Sequence, residues 1–347
     1  MNSMQQFHTF INLIKEEKIM AKNISDIAKL AGVAKSTVSR YLNGGYVSDK
    51  TREKIEAIIQ ETNFSPNTFA RSLKAKTTNL IGVIVPRLDS FATTKTLIGI
   101  DNSLRDQGYQ MLVANANQRQ KIEIEAIQNF AKQKVAGIIL LTTKLTEQHN
   151  KILNTLKIPV LFVGQQYEGH YCLIHNDFEA AFELGSYILS QGHRHIAYLG
   201  VTEEDVSVGV KRKQGFQKAV QTFAPSCNVT YYETTFHVKD AMEQVACILE
   251  NNRPTIIVCA TDNIAIGAIK VIHESNLSVP ADISVTGFGG YDVSEMIHPS
   301  LTTVSFDYHY AGTVAATSII QLVENQDIPK IVSSRYALKI RESIDKI

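Results

Sequence analysis

The sequence predicts two architectures in one chain, an all-α helix-turn-helix head and an α/β body made of two doubly wound parallel sheets. Two short amphipathic helices flank Gly32 near the start of the chain. From Leu80 onward, apolar runs of parallel-strand type alternate with helical segments, and the alternation repeats after Asn176. A chain of 347 residues is too long for one hydrophobic core, which agrees with a small head and a larger body.

The head is predicted to occupy residues 20–65. Its first helix stops at Gly32 and has three apolar residues at helical spacing, Ile27, Leu30 and Ala31. The next helix carries an apolar stripe at Val38 and Leu42, so the pair has the geometry of a helix-turn-helix. A third helix follows the predicted N-cap Ser48 and directs three apolar residues toward the bundle, Ile55, Ile58 and Ile59.

Small polar and basic side chains lie near the start of the second predicted helix, away from its apolar stripe. A recognition helix presents such groups to base edges and phosphates. The alternative is a solvated helical face, because most helical hairpins bind nothing. We predict that the DNA contacts of the head are Ser25, Lys35, Ser36, Thr37, Ser39, Arg40, Asn43 and Ser48.

The formal charge of +1 hides an uneven distribution along the chain. Residues 20–78 contain 10 Lys and Arg against 5 Asp and Glu, a net charge of +5. Residues 79–347 contain 23 Lys and Arg against 27 Asp and Glu, a net charge of −4, and the charges of residues 1–19 cancel. A basic head is expected for phosphate contacts, and it predicts DNA affinity that falls with salt.

Cysteine usage, hydropathy and motifs exclude several classes of protein. The cysteines form no CxxC pair, so they predict reduced thiols and neither a metal site nor a disulfide framework. They are Cys172, Cys227, Cys247 and Cys259.

No apolar run reaches membrane-spanning length and no signal peptide is visible, so a cytoplasmic protein without a membrane partner is expected. No cofactor is expected. The sequence has no nucleophile elbow, P-loop or metal-spaced cluster, which argues against an enzyme, although a motif scan misses a site assembled in three dimensions.

Three stretches carry a family resemblance, residues 24–43, 46–55 and 64–84. From about Met20 to its end, the chain resembles the lactose repressor/galactose repressor family of bacterial transcription factors. The resemblance implies a hinge helix and linker over residues 66–78 that folds when a dimer sits on its operator. It also implies that Leu73 wedges into the minor groove beside Lys74, where kinking the duplex costs a few kcal/mol that the bent contact surface offsets. The alternative for Leu73 is ordinary linker packing.

The resemblance further implies a body similar to periplasmic sugar-binding proteins, with a cleft between two lobes. The first lobe is predicted over residues 79–176 and 305–333, and the second over residues 177–304 and 334–347. Within the body, strands are predicted over 80–85, 110–113, 137–141, 159–163, 196–199, 256–259 and 284–288. Helices are predicted up to 104 and over 180–191, 211–222 and 263–274.

Residues 1–19 are expected to be a translated leader, because family members usually begin close to the position of Met20. The residues Lys15-Glu16-Glu17 can be encoded by a purine-rich ribosome-binding sequence a few codons before that methionine. The alternative is a weak amphipathic N-terminal helix. The mass of the native protein distinguishes the two.

In open parallel sheets, ligands bind outside the carboxyl ends of the strands. Asp262 has a competing and favoured role as the N-cap of helix 263–274, and Asp177 has the same alternative for its own helix. Three further residues could line the cleft, Tyr198, Phe236 and His237, but aromatic residues near sheet ends are more often core. We therefore expect the effector contacts to be Arg87, Asp89, Ser90, Gln165, Asn176, Asp205, Arg212, Thr261, Asp262 and Phe288.

Two of the expected effector contacts are arginines, and each is selected for a different reason. Arg212 begins an Arg-x-x-Gly-Phe motif, the family position at which an arginine usually reaches the effector, and the alternative is surface charge at a helix start. Arg87 stands where many relatives carry small neutral residues, so it implies a buried ion pair, with Asp89, or an anionic ligand. With Lys211 or Lys213 nearby, we favour a pair of arginines that binds phosphate oxygens.

The chain also departs from the pattern of the family's neutral-sugar sensors. Gly289 follows Phe288 where those proteins often carry an aspartate, and Thr261 stands where several have asparagine. A missing carboxylate removes an acceptor for sugar hydroxyls and a charge that would repel phosphate. Both changes therefore fit an anionic ligand.

Short motifs at the predicted strand ends resemble those of two subgroups of the family. Residues 86–90, 205–212 and 259–262 look like those of trehalose repressors, which sense trehalose 6-phosphate. Residues 164–166 and 175–177 look still more like those of sucrose operon repressors of Gram-positive bacteria. The resemblance thus implies a homodimeric repressor of a sugar-utilisation operon, released from operator DNA by a phosphorylated disaccharide. Sucrose 6-phosphate is the first candidate and trehalose 6-phosphate the second. Induction is favoured over corepression without being fixed, and a sugar-binding protein without a DNA-dependent function is the alternative.

Overall fold

The computed structural model describes residues 23–42, 44–64, 78–142 and 144–347. The chain forms two compact units, residues 1–76 and residues 77–347. The predicted leader and the hinge up to residue 77 lie outside the described residues, and so do three predicted DNA contacts, Asn43, Leu73 and Lys74. None of the helices in the described part is long and apolar enough to cross a membrane.

The head consists of α1 (Ile24–Ala31), α2 (Lys35–Leu42) and α3 (Asp49–Thr62). Asn23 caps α1, because its side chain accepts hydrogen bonds from N–H groups of the first turn. Gly32 ends α1 in the left-handed conformation at a φ of 63°, which glycine adopts without a steric penalty. Helix α1 is therefore fixed at both ends by local sequence.

A small hydrophobic core joins the three helices of the head, and its fully buried members are Ile27, Val38 and Ile55. Each such side chain stabilises the fold by about 1.5–3 kcal/mol through its removal from water. Leu30 was predicted to face this core but is 39% exposed. The buried stripe of α1 runs through Ala28 and Ala31 instead, which leaves Leu30 at its edge.

The body alternates strands with helices along its whole length. The strands are β1 (Leu80–Val85), β2 (Gln110–Asn115), β3 (Gly137–Leu140), β4 (Val160–Val163), β5 (Tyr171–Ile174), β6 (His195–Val201), β7 (Asn228–Thr234), β8 (Ile256–Cys259), β9 (Ser284–Gly289), β10 (Thr302–Phe306), β11 (Ile331–Ser333) and β12 (Tyr336–Lys339). The helices are α4 (Phe91–Asp106), α5 (Gln120–Lys132), α6 (Glu147–Leu153), α7 (Asp177–Ser190), α8 (Arg212–Phe223), α9 (Val238–Asn251), α10 (Asp262–Glu274), α11 (Val293–Met296) and α12 (Tyr308–Val323).

These elements form two sheets, one for each lobe. The first sheet has the strand order β11-β5-β4-β3-β1-β2, and all of its pairs are parallel. The second has the order β12-β10-β9-β8-β6-β7 and is parallel except for β10 with β12. Helices cover both faces of each sheet. In the first sheet, α4 and α12 cover one face and α5 and α6 cover the other. In the second sheet, α9 and α10 cover one face and α7 and α8 cover the other. Burial on both faces explains why the strands are continuous apolar runs.

The chain passes between the lobes after β5, after β10 and after β11, and the three passages lie side by side. The N–H of Ser334 donates to the carbonyl of Ile174 at 2.8 Å, and the N–H of Asp307 donates to that of Arg335 at 3.2 Å. The Nδ1 atom of His175 lies 2.5 Å from Oγ of Ser334. Hydrogen bonds therefore join all three passages into one hinge.

Two differences between the predicted and the observed element ends affect the boundary between the lobes and the start of α8. The strand β10 continues through Phe306, so the return to the first lobe begins after the predicted boundary at Ser305. A π-helix, Val206–Lys211, precedes α8 where an ordinary helix was predicted to begin at Lys211. The carboxylate of Asp205 caps this π-helix by accepting the N–H of Val208, so the helical conformation starts earlier in the chain.

Candidate functional site

The predicted DNA-binding surface lies on the outer side of α2. Val38 fixes the helix in the core of the head, and the hydroxyl of Tyr41 donates to Glu56 of α3 at 2.9 Å. These contacts set which side of α2 faces outward. Of the predicted contacts on this helix, Lys35, Ser36 and Arg40 are exposed, and Thr37 and Ser39 are half-buried.

The two predicted contacts outside α2 sit at helix starts. Ser25 is half-buried in the first turn of α1, and its N–H donates to the side chain of Asn23 at 2.8 Å. Ser48 precedes α3 as predicted and is exposed. Its hydroxyl lies 2.8 Å from that of Thr51, and within the described helix it caps no backbone N–H. The Ser48 hydroxyl therefore has an exposed position without a capping role.

A cavity of about 160 Å³ lies between the two lobes, at the carboxyl ends of the parallel strands. Six of the predicted effector contacts line it, namely Arg87, Ser90, Gln165, Asp205, Arg212 and Thr261. The other residues that line it include Gln118, Thr142, His175, Asp177, Ser207, Phe236, Tyr291 and Tyr308. The rule that ligands bind beyond strand ends thus located the cavity.

Arg212 is buried beside a carboxylate. Its Nε atom donates to Oδ1 of Asp177 and its Nη1 atom donates to the carbonyl of Ala260, both at 2.7 Å. The rings of Phe288 and Phe306 each lie 5.1 Å from the guanidinium carbon. Burial alone would lower the pKa of Arg212, but the neighbouring carboxylate outweighs burial and raises the pKa further. The positive charge of Arg212 is therefore already compensated.

Helix capping was an alternative role for Asp177, and the structure gives this residue another role. It is the first residue of α7, which begins there instead of at Ala180, and Asn176 holds the N-cap position. The Asp177 side chain points to Arg212, since pairing two buried charges satisfies both. Its second oxygen, Oδ2, is buried without a hydrogen-bond partner among the described residues. This atom is an acceptor beside the cavity.

Arg87 is compensated much more weakly than Arg212. Its Nε atom lies 3.7 Å from Oδ1 of Asp89, whose side chain is 69% exposed and lies outside the cavity lining. The ring of Phe236 lies 4.8 Å from the guanidinium carbon. The predicted pair with Asp89 thus exists at a long distance, and such exposed pairs contribute roughly 0–1 kcal/mol.

The start of α4 lies beside Arg87 in the same cavity lining. Ser90 caps the helix, and its Oγ atom accepts the N–H of Thr93 at 3.4 Å. The first turn contains no acidic residue, and Ala92 and Thr93 also line the cavity. A helix N-terminus of this kind favours a negatively charged group.

Polar contacts join the two lobes on another side of the cavity. The amide of Gln165 donates to Asp205 at 3.4 Å, and the hydroxyl of Ser207 donates to the carbonyl of Gly164 at 2.6 Å. Burial raises the pKa of Asp205 above its usual value, although its hydrogen bond with the N–H of Val208 opposes this effect. The position of each lobe therefore depends on groups that line the cavity.

Four predicted effector contacts do not line the cavity, and the described geometry explains three of them. Asp89 is exposed outside it, and Phe288 packs behind Arg212. Asp262 is fully buried and accepts the N–H of Tyr291 at 2.7 Å and the hydroxyl of Thr303 at 2.5 Å. The fourth, Asn176, lies at the start of α7, and we find no structural reason for its exclusion.

Asp262 was also predicted to cap α10, and this prediction is wrong. Thr261 is the cap, because its hydroxyl accepts the N–H of Ile264 at 3.3 Å. Asp262 is the first residue of the helix and holds the neighbouring loop instead. Burial raises its pKa to about 6, while the hydrogen bonds from Thr303 and Tyr291 oppose the shift.

Several residues that line the cavity are not among the expected effector contacts. Phe236 is one that could line the cleft but for which core was favoured, and Asp177 is one for which helix capping was an alternative. Tyr291 and Tyr308 follow β9 and β10, so the strand-end rule applied one step further would have included them. Thr142 follows β3 in the same way and donates its hydroxyl to Glu123 at 2.7 Å.

A chain that contains a helix-turn-helix unit and a two-lobed unit with a cleft has the organisation of a ligand-responsive transcription regulator. Residues 23–67 match the model of bacterial regulatory proteins of the lacI family, and residues 186–344 match that of a periplasmic binding protein-like domain. The chain belongs to the lacI family.

Known proteins of this family match nearly the whole chain. The sucrose operon repressor of Staphylococcus xylosus is 37% identical over 93% of this chain and 99% of its own length. The catabolite control protein A of Priestia megaterium is 28% identical over 93% of this chain and 99% of its own. A crystal structure of the lac repressor dimer bound to operator and the anti-inducer ONPF has a TM-score of 0.84 at 27% identity, and covers 92% of this chain and 98% of that one. This protein is a DNA-binding transcriptional repressor and not an enzyme.

Proposed function

We propose that this protein represses a sucrose-utilisation operon and leaves its operator when a phosphorylated disaccharide, sucrose 6-phosphate, binds between the lobes. The observation that supports an anionic effector is the weak charge compensation of Arg87. It lines the cavity, and its only close carboxylate among the described residues is 3.7 Å away and largely exposed. A guanidinium in that situation suits a phosphate.

The similarity to a sucrose operon repressor supports the choice of operon, since that relative covers nearly the whole chain. The sequence motifs 164–166 and 175–177 point the same way. Trehalose 6-phosphate shares the chemistry of a phosphorylated disaccharide and is the sugar against which the first choice has to be tested.

The two arginines that line the cavity differ in the charge around them, which suggests how such a ligand binds. Near Arg212, the carboxylates of Asp177 and Asp205 offset the guanidinium and offer acceptors for sugar hydroxyls. Beside Arg87, the start of α4 adds the positive end of a helix dipole and no acidic side chain in its first turn. We therefore assign the phosphate to the Arg87 side and the unphosphorylated ring to the Arg212 side.

The proposed repressor acts as a homodimer, with one α2 helix in each half-site of a near-palindromic operator. Asn43 adds to the contacts of α2, and Leu73 and Lys74 bind the minor groove in the hinge segment. Sugar binding closes the lobes about the hinge and disfavours the DNA-bound hinge helix. The affinities for sugar and for operator are then linked reciprocally. We favour induction over corepression because it suits the control of a sugar uptake operon.

The test is a titration of the full-length protein with a labelled operator fragment from its own operon, followed by fluorescence anisotropy. Sucrose 6-phosphate, trehalose 6-phosphate, sucrose and trehalose are then added separately at equal concentrations. We expect sucrose 6-phosphate to release the DNA at the lowest concentration.

The outcomes separate the parts of the proposal. Equal action of free and phosphorylated sugars would overturn the assignment of phosphate to Arg87, and stronger action of trehalose 6-phosphate would replace the sugar. Operator binding that survives removal of residues 20–78 would overturn DNA binding by the head. A scrambled fragment of equal length controls for non-specific affinity.

A further inference from the structure

The loop after β9 has a conformation that depends on two glycines. Gly289 has a φ of 140° and Gly290 a φ of 67°, and side-chain-bearing residues rarely adopt either value. A Cβ atom on Gly289 would lie 2.3 Å from the ring of Tyr291, and one on Gly290 would lie 2.2 Å from Oγ of Ser305. The ring of Tyr291 thus occupies the space that a side chain at position 289 would need.

Tyr291 is held in this place from both lobes. Its N–H donates to the buried carboxylate of Asp262 at 2.7 Å, which fixes its backbone to the second lobe. Its ring stacks on Phe91 of the first lobe, with a centroid distance of 4.4 Å and an interplanar angle of 30°. The next residue, Asp292, pairs with Lys95 of α4 at 2.8 Å. The Tyr291 side chain is therefore a cavity wall at the junction of the lobes.

We infer that Tyr291 is a specificity-determining residue that binds the sugar effector, and that it reaches the cavity only because position 289 is glycine. This inference rests on the proposed function for its ligand class. A carboxylate at position 289 would repel a phosphorylated sugar, and its side chain would displace the Tyr291 ring. Glycine at this position avoids both the repulsion and the displacement.

The chemistry of a tyrosine suits a phosphorylated disaccharide. Its ring supplies apolar area for the carbon-bound face of a sugar, and its hydroxyl supplies one polar group. Burial raises the pKa of Tyr291 to about 12, and Asp262 adds to this effect while Arg212 and Arg87 oppose it. The phenol is therefore neutral at physiological pH and donates a hydrogen bond without adding negative charge.

The experiment measures the affinity of the full-length protein for sucrose 6-phosphate by isothermal titration calorimetry. Tyr291→Phe removes only the hydroxyl and should weaken binding by roughly 2- to 10-fold, the range of one neutral hydrogen bond. Tyr291→Leu also removes the ring and should weaken it by more than roughly 10-fold. Gly289→Ala should match Tyr291→Leu, because its Cβ displaces the ring without changing residue 291.

Matched controls separate this role from general damage to the fold. Gly169→Ala places a side chain at a φ of 80° where nothing lies within 4 Å, so it reproduces the backbone strain alone. Tyr310→Phe removes a hydroxyl from a tyrosine that is 39% exposed and outside the cavity lining. Thermal denaturation of every variant, and operator affinity without sugar, report on folding.

Sugar affinity like that of the wild type in both Tyr291 variants would overturn the inference. So would a loss in Gly169→Ala as large as in Gly289→Ala. If the wild-type protein binds free sucrose as well as sucrose 6-phosphate, the phosphate proposal fails, and the same variants are then measured with free sucrose. If no sugar of the panel binds the wild type, the proposed effector and the role of Tyr291 both fail.

Discussion

Arg212 and Asp177 form a buried ion pair in the wall of the interlobe cavity, with Nε 2.7 Å from Oδ1 and exposures of 4% and 1%. Two charges at this depth stabilise the fold only as a pair, because each alone would carry an uncompensated desolvation cost. The effector therefore meets a guanidinium whose orientation the protein has already fixed.

Replacing Asp177 by Ala should lower the free energy of unfolding of the body by about 3–5 kcal/mol, because Arg212 would be left charged and buried. Urea denaturation followed by circular dichroism measures this difference. Glu203→Ala is the control, since it removes the partner of the partly exposed Lys213 and should cost less than about 1 kcal/mol. A loss of similar size in both variants would contradict the importance of the buried pair.

Arg87→Ala should weaken release by sucrose 6-phosphate at least roughly tenfold, the size of one charge-assisted contact, while operator affinity without sugar changes little. The same anisotropy titration measures both quantities. Arg105→Ala on α4 is the charge-matched control, because Arg105 pairs with Asp101 on the same helix and lies outside the cavity lining. An unchanged response in Arg87→Ala would argue that the phosphate binds elsewhere.

Leu73→Ala should have the opposite effect, at least roughly a tenfold loss of operator affinity with sugar affinity retained, because an apolar wedge offsets the cost of unstacking a base step. Anisotropy measures the first quantity and calorimetry the second. Leu88→Ala provides the control, since this leucine of the body is 49% exposed. Equal operator affinity in Leu73→Ala and the wild type would favour ordinary linker packing.

Salt dependence tests the contacts of the recognition helix. If Lys35 binds a phosphate, Lys35→Gln removes one phosphate contact from each half-site, and should reduce the slope of log affinity against log salt concentration by roughly 1.8 for the dimer. Operator titrations at four or more salt concentrations give this slope. Lys218→Gln, an exposed position on α8 of the body, should leave it unchanged. A change in affinity without a change in slope would instead indicate a base contact.

Asp262 should make the body less stable as pH rises. Its pKa is about 6 in the folded protein because of burial, above the ordinary 3.8, so the folded state binds the extra proton between these values. The stabilisation is present at low pH and is lost as pH rises through 6, a change of about 3 kcal/mol. The difference in unfolding free energy between wild type and Asp262→Asn should shift by that amount from pH 4 to pH 7. A difference that does not vary with pH would show that the carboxyl does not titrate in this range.

The strands were predictable because a sheet buried on both faces requires continuous apolar runs, and β8 begins and ends where the sequence indicates. Arg212 was predictable from its motif. Its partner was not, because Asp177 lies 35 residues away in the chain and only the packing of α7 against α8 brings them together.

Other parts of the cavity depend on backbone conformation, which residue patterns do not report. The sequence shows Gly289 as a missing carboxylate, but the turn that places Tyr291 in the cavity depends on the φ values of Gly289 and Gly290. Phe236 was assigned to the core because an aromatic residue near a strand end usually packs there. Its contact with Arg87 comes from the opposite lobe, and contacts between distant segments leave no local pattern.

The three neighbouring passages, joined by His175 with Ser334 and by Asp307 with Arg335, have a mechanical consequence. Connections that lie side by side and are hydrogen-bonded to one another resist twisting and sliding of the lobes. The movement that they oppose least is a rotation of one lobe toward the other about the hinge. A ligand that binds the closed arrangement more tightly than the open one then drives closure along this rotation. The fold can thus acquire a new inducer by changing cavity side chains alone, with the output movement left intact.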